Sequence, residues 1–273
     1  MYRDLLVHVD GSEAGRRRVQ IAVNLATRTG AQLTGLHVTP PADVPRRYKP
    51  SRVAGVAAKM AVGLASDARA AEMIFREETI TDLPDAHWLE AEGHVVQGID
   101  DKARYADLII LGQYECEGEP ETHPLPIAHS IVVKCGRPVL VVPSIVQPRE
   151  RLRIAIAWDG SREAVRATHD ALPLLRMAES VQIVTIIPPS ADHDHFDTTS
   201  LPVHLAKHEI NVRPEIIKVS TAKKHELFQK LIAQGDYDLL VMGAHSHPLL
   251  DYFFGGATKS ILFSSQIPVF VSL

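Results

Sequence analysis

The run Leu5-Leu6-Val7-His8-Val9-Asp10-Gly11-Ser12-Glu13-Ala14 recurs as Ile154-Ala155-Ile156-Ala157-Trp158-Asp159-Gly160-Ser161-Arg162-Glu163-Ala164. Two more matches follow in the same order. Asp107-Leu108-Ile109-Ile110-Leu111-Gly112 returns as Asp238-Leu239-Leu240-Val241-Met242-Gly243, and Pro138-Val139-Leu140-Val141-Val142 as Pro268-Val269-Phe270-Val271. Three ordered matches mark an internal duplication, which a reading of the fold has to start from. The segment Pro143 to Arg151, with Pro148 and several charges, is the linker. It divides the chain into domains at 1–145 and 151–273.

Within each copy, short apolar runs alternate with amphipathic stretches. The runs at 4–9, 32–38, 107–111 and 138–142 have no polar alternation, which marks strands buried on both faces of a parallel sheet. Ser12 to Arg28 has helical periodicity, with a capping serine at its start and Gly30 past its end. The second copy predicts strands at 153–158, 181–187, 213–218, 238–242 and 268–272, and helices at 161–177, 200–209, 223–234 and 257–264. Five strands alternating with helices define an α/β fold, here two tandem doubly wound parallel five-stranded sheet domains of Rossmann-like type. The spacing from Asp10 to Gly112 exceeds that from Asp159 to Gly243. The surplus falls near 40–80, where Pro40, Pro41, Pro45 and Pro50 precede an Ala-rich helix over 51–80.

Composition narrows the function classes. The 273 residues are 45% hydrophobic and 23% charged, enough to bury an ordinary core. A net charge of −4 argues against the basic face of a nucleic-acid binder. No apolar run reaches the roughly 18 residues of a membrane span, and the start is too acidic for a signal peptide. Two cysteines, Cys116 and Cys135, build no disulfide framework and fit a cytoplasmic protein. Neither suits a nucleophile, since Cys116 stands among glutamates and Cys135 precedes Gly136 in a buried context.

In doubly wound sheets the ligand crevice lies beyond the carboxyl ends of the strands, at the point where the strand order reverses. Asp159 and Gly243 end the two strands flanking that point in the second copy. After Gly243 come Ala244-His245-Ser246-His247-Pro248, then Gly255-Gly256-Ala257-Thr258-Lys259-Ser260. Glycines admit backbone N–H groups to phosphate oxygens, and a helix starting there directs its positive end at them. Thr258 adds a hydroxyl, and Asp159 can accept from a ribose or base. The plainer alternative is a tight turn with Thr258 as a helix cap.

The chain resembles the universal stress protein family, in its tandem two-domain form. The resemblance rests on Asp-Gly-Ser at 10–12 and 159–161, on the strands ending at Gly112 and Gly243, and on the glycine-rich turn at 255–258. The closing Arg/Ile-Pro-Val strands at 137–139 and 267–269 complete it. It implies a nucleotide-hydrolase-like Rossmann fold and an adenine nucleotide, ATP or AMP, with Mg2+ accompanying ATP. The implied contacts are Asp159 and the Ile187 backbone on adenosine. Gly243, His245, Ser246, Gly255, Gly256, Ala257 and Thr258 fall around the phosphates. The family's pattern is Gly, two residues, Gly, nine residues, Gly, then Ser or Thr. Here Ser246 stands at the second glycine and Ala257 at the hydroxyl position, or else Gly255 is the last glycine and the loop is one residue short.

The first copy lacks the loop. Gly112 is followed by Gln113-Tyr114-Glu115-Cys116-Glu117-Gly118-Glu119-Pro120-Glu121, four glutamates where phosphates would lie, and the next helix opens at Pro126-Ile127-Ala128. Like charge repels a triphosphate. The first site is therefore expected to be degenerate. No adenylating-enzyme signature, Walker loop or nucleophile elbow occurs, so the chain reads as a regulatory, ligand-sensing stress module and not an enzyme. Slow incidental ATP hydrolysis stays open. The competing reading is a partner-binding module with both sites empty. Metal binding at His193-Asp194-His195 lacks a third ligand, and the fourteen histidines read as scattered on the surface. The apolar strands 138–142 and 268–272 are expected to pair across the two copies, an intramolecular pseudo-dimer. The 51–80 helix offers a surface for a further homodimer.

Overall fold

The structure, a computed structural model, describes residues 1–41, 50–113, 127–146, 148–187, 199–218, 237–244, 261–262 and 264–273. The first copy runs β1 (Asp4–His8), α1 (Glu13–Thr29), β2 (Gln32–Thr39), α2 (Pro50–Thr79), β3 (His87–Glu92), α3 (Val95–Ala103), β4 (Leu108–Gly112), α4 (Ile127–Lys134) and β5 (Val139–Val142). The second runs β6 (Arg153–Ala157), α5 (Arg162–Asp170), α6 (Leu172–Arg176), β7 (Ser180–Ile187), α7 (Ser200–Ala206), β8 (Val212–Lys218), β9 (Leu239–Gly243) and β10 (Val269–Ser272). The expected helix at 223–234 and the start of the one at 257–264 lie outside the described residues.

The two sheets are joined. The order β3-β2-β1-β4-β5-β10-β9-β6-β7-β8 makes one ten-stranded sheet. Each half is parallel with the same doubly wound order, and β5 meets β10 antiparallel, with Phe270 opposite Leu140. Pairing the two apolar edge strands removes the exposed hydrogen-bonding rows that each copy would present alone. Neighbouring residues of one strand serve opposite faces: Leu5 and Val7 enter one core, Leu6 the other. Both cores run through the seam, one with Leu140 and Phe270, the other with Val139, Val141, Val269 and Val271.

Local chemistry sets the element ends. Ser12 caps α1 by accepting from Gly15 N at 3.0 Å, and Gly30 closes it in the left-handed conformation at φ +66°. Ser161 caps α5 in the same way, accepting from Ala164 N at 3.1 Å. The helix expected over 161–177 is two helices, α5 and α6. Pro173 sits in the first turn of α6 and has no N–H to continue the ladder from α5. Strand β3, edge-placed and mostly exposed, belongs to no continuous apolar run. A further tie joins the copies: Tyr2 donates to the carbonyl of Asp170 at 2.7 Å, and within the second copy Ser272 donates to the Asp170 carboxylate at 2.7 Å.

Candidate functional site

Strands β1 and β4 are neighbours, as are β6 and β9, so each copy has its reversal point between them. Asp159 follows β6, Gly243 ends β9 and Ile187 ends β7, the strand on the other side of β6. The structure therefore places these three expected residues at the carboxyl ends of three adjacent strands. His245, Ser246, Gly255, Gly256, Ala257 and Thr258 lie outside the described residues. So do the glutamate run of the first copy, Cys116, and the His193-Asp194-His195 segment.

Asp159 is exposed, and one of its oxygens accepts from Ser161 N at 3.0 Å. That turn is made possible by Gly160, whose φ of +72° is a left-handed conformation few side chains tolerate. Gly243 has a different constraint. A Cβ there would lie 2.5 Å from the Glu163 carbonyl carbon and 2.6 Å from Ala164 N, so only glycine lets the first turn of α5 sit against the end of β9. The helix N-terminus, with its unpaired N–H groups, is thereby brought to the mouth of the crevice.

The first copy has the same Asp-Gly-Ser turn and a different crevice. Arg18, on α1, is buried and pairs with Asp10. The other Asp10 oxygen accepts from Ser12 N at 3.1 Å and from the Ser12 hydroxyl. Burial pushes the Asp10 carboxyl up, but the Arg18 charge and the hydrogen bonds from Ser12 and Arg18 outweigh it and hold it below the usual range. The Arg18 guanidinium lies against Gly112, where a Cβ would fall 1.9 Å from Nη1. In the repeat, the position of Arg18 is Ala167, fully buried and too short to reach Asp159. Gln113 is also committed elsewhere, donating to the carbonyls of Leu262 at 2.9 Å and Ser265 at 3.1 Å in the other copy. In the same region, half-buried His8 is held neutral. Burial, and then the Arg18 charge, lower its pKa to about 3.

Three histidines are not scattered. His169 of α5 and His204 of α7 bring their Nε2 atoms to 3.2 Å, and the His208 ring centroid lies 4.9 Å from that of His204. Burial, then His169, His208 and Lys207, lower the His204 pKa. The four-residue spacing of His204 and His208 was the available signal, but the arrival of His169 was not readable from it. Among the described residues, no group of three His, Cys, Asp or Glu side chains is arranged to hold a metal ion. Cys135 is buried, and that burial raises its pKa, which suits an inert thiol.

The fold and its crevices define a duplicated Rossmann-like α/β protein. The sequence profile described as "Universal stress protein family" matches residues 1–143 and again 150–272, so the chain belongs to that family, as a tandem two-domain member. A universal stress protein from Archaeoglobus fulgidus DSM 4304 superposes with a TM-score of 0.71 at 15% identity, covering 98% of this chain and 97% of that one. A functionally unknown protein from Pseudomonas aeruginosa PAO1 superposes at 0.61 and 13% identity, covering 99% and 92%. At such identities these likenesses show the fold. No curated protein matches significantly. Among the described residues, no helix is long and apolar enough to cross a membrane.

Proposed function

We propose that the second copy, within a domain spanning 151–273, binds an adenine nucleotide, ATP or AMP, and that the first, spanning 1–145, does not. The chain then acts as a regulatory, ligand-sensing stress module in the cytoplasm, without catalysis beyond slow incidental hydrolysis, and with Mg2+ accompanying ATP. The observation that carries this reading is the contrast between the two aspartates. Asp10 has both oxygens engaged, one by Arg18, whereas exposed Asp159 has one oxygen engaged by Ser161 N, and Ala167 stands at the position of Arg18 in the repeat. A carboxylate with a free acceptor beside a helix N-terminus fits a ribose and its phosphates. Ile187 would offer its backbone to the base, and Gly243, His245, Ser246, Gly255, Gly256, Ala257 and Thr258 would surround the phosphates.

The test is thermal shift and calorimetry with ATP, ADP and AMP. One site per chain is expected, lost in Asp159→Ala and Gly256→Glu. No shift at millimolar nucleotide would support the second reading, a partner-binding module with both sites empty, for which Ser246 in place of a glycine is the specific observation. Self-association, where it occurs, would use α2, on which Val62 and Met73 are 72% and 61% exposed.

A further inference from the structure

A cavity of about 440 Å3 opens at the junction of the two copies, within the roughly 300–1,000 Å3 of small-molecule sites, which favour interfaces between domains. It lies at the amino-terminal ends of β6 and β9, the opposite end of the second copy from Asp159 and Gly243. One wall comes from α1 and β5, with Ile21, Leu25 and Leu140. The facing wall comes from the second copy, with Leu174, Met177 and Leu239. The linker roofs it through Ile145, Val146 and Pro148. That roof is fastened to α1 at both ends, because Arg17 donates to the Ser144 carbonyl and Arg28 to the Glu150 carbonyl.

The charged lining among the described residues is unbalanced. It consists of Arg28, Arg149 and Arg153 against Asp238 alone. Asp238 is shared, accepting from Arg149 at 2.6 Å and from Arg153 Nε at 3.0 Å. Arg28 spends its guanidinium on neutral carbonyls, Met177 O at 3.0 Å and that of Glu150, the residue after Arg149. Three cations thus line a largely apolar chamber. Carbonyl partners do not neutralise the Arg28 charge, and an anion placed beside it gains both attraction and charge-assisted hydrogen bonds.

We propose that this cavity binds an amphiphilic carboxylate, its apolar chain seated between the two copies and its head group at Arg28, Arg149 and Arg153. The site exists only because the two copies share one chain, since the linker supplies both its roof and one of its cations.

The probe is decanoate, titrated calorimetrically into the intact chain, with 1-decanol as its neutral counterpart. Saturable one-to-one binding is expected, with decanol at least tenfold weaker. Ile21 and Asn24 line the cavity from half-buried positions on α1. Ile21→Trp and Asn24→Trp should each weaken decanoate at least tenfold while melting and far-ultraviolet spectra stay native. Arg149→Gln, at a mostly exposed side chain, should weaken it about threefold or more and leave decanol unchanged. The proposal is overturned if native protein shows no saturable binding, if decanol binds as well as decanoate, or if both natively folded tryptophan variants bind unchanged. Displacement by excess ATP also overturns it, because the ligand would then occupy the nucleotide crevice.

Discussion

Arg18 reaches across the end of β4 to the carboxylate of Asp10, and at the matching point of the second copy stands Ala167. Arg18 is therefore one of the differences between two crevices that share a scaffold. Arg18→Ala should cost about 2 kcal/mol, less than the roughly 3–5 of a fully buried pair because Asp10 keeps some contact with solvent. Urea unfolding reads this. Calorimetry on the same variant shows whether clearing the guanidinium is enough to admit a second nucleotide. A stoichiometry that stays at one would leave the glutamate run as the barrier.

Gly243 is fixed by backbone, not by a mobile side chain. A methyl group at 2.5 Å from the Glu163 carbonyl carbon forces α5 away from β9. Gly243→Ala should destabilise the protein by about 1–3 kcal/mol and weaken nucleotide binding at least tenfold. An unchanged unfolding midpoint would contradict the close approach.

His8 makes the protein acid-sensitive with a definite sign. Its folded pKa of about 3 lies below the unfolded value near 6.5, so between these the unfolded chain binds the extra proton. Stability is full above about pH 6.5 and falls as the pH drops toward 3. His8→Ala, which copies Ala157 of the repeat, should flatten the melting temperature against pH between about 6.5 and 4.5. His204 adds a slope of the same sign that this variant leaves in place. Asp10 and Asp238, both held low, add their own losses only below about pH 4.

Phe270, fully buried on β10 opposite Leu140, anchors the seam. Phe270→Ala should cost about 3–5 kcal/mol. Because both cores pass through the seam, the two copies should lose stability together. A variant that unfolds in two separate calorimetric steps would show that the halves hold themselves up independently.

The duplication, the strand runs and the helix caps are local, and they were legible. Leu108 to Leu111 is apolar throughout because both of its faces are covered, and Ser12 and Gly30 mark helix ends through backbone chemistry within a few residues. Apolarity at both chain-half ends even pointed to the pairing of β5 with β10. The exposed edge strand β3 escaped because an element with little to bury writes no apolar pattern, and the break at Ala171 escaped because amphipathic periodicity continues through Pro173.

What only the tertiary structure decided depends on residues far apart in the chain meeting in space. The glutamates on which the sequence rests the weakness of the first crevice lie outside the described residues. Arg18 against Asp10 and Gly112 is a further group there, and nothing in the helical pattern of α1 announces where a buried arginine ends. The meeting of His169 with His204, the tie from Tyr2 to Asp170 and the cation-rimmed chamber under the linker are of the same kind. Sequence by itself determined two copies of one doubly wound unit, since burial and capping act on neighbouring residues. Where the long side chains and the linker come to rest depends on contacts between distant parts of the chain, which form only once both cores close.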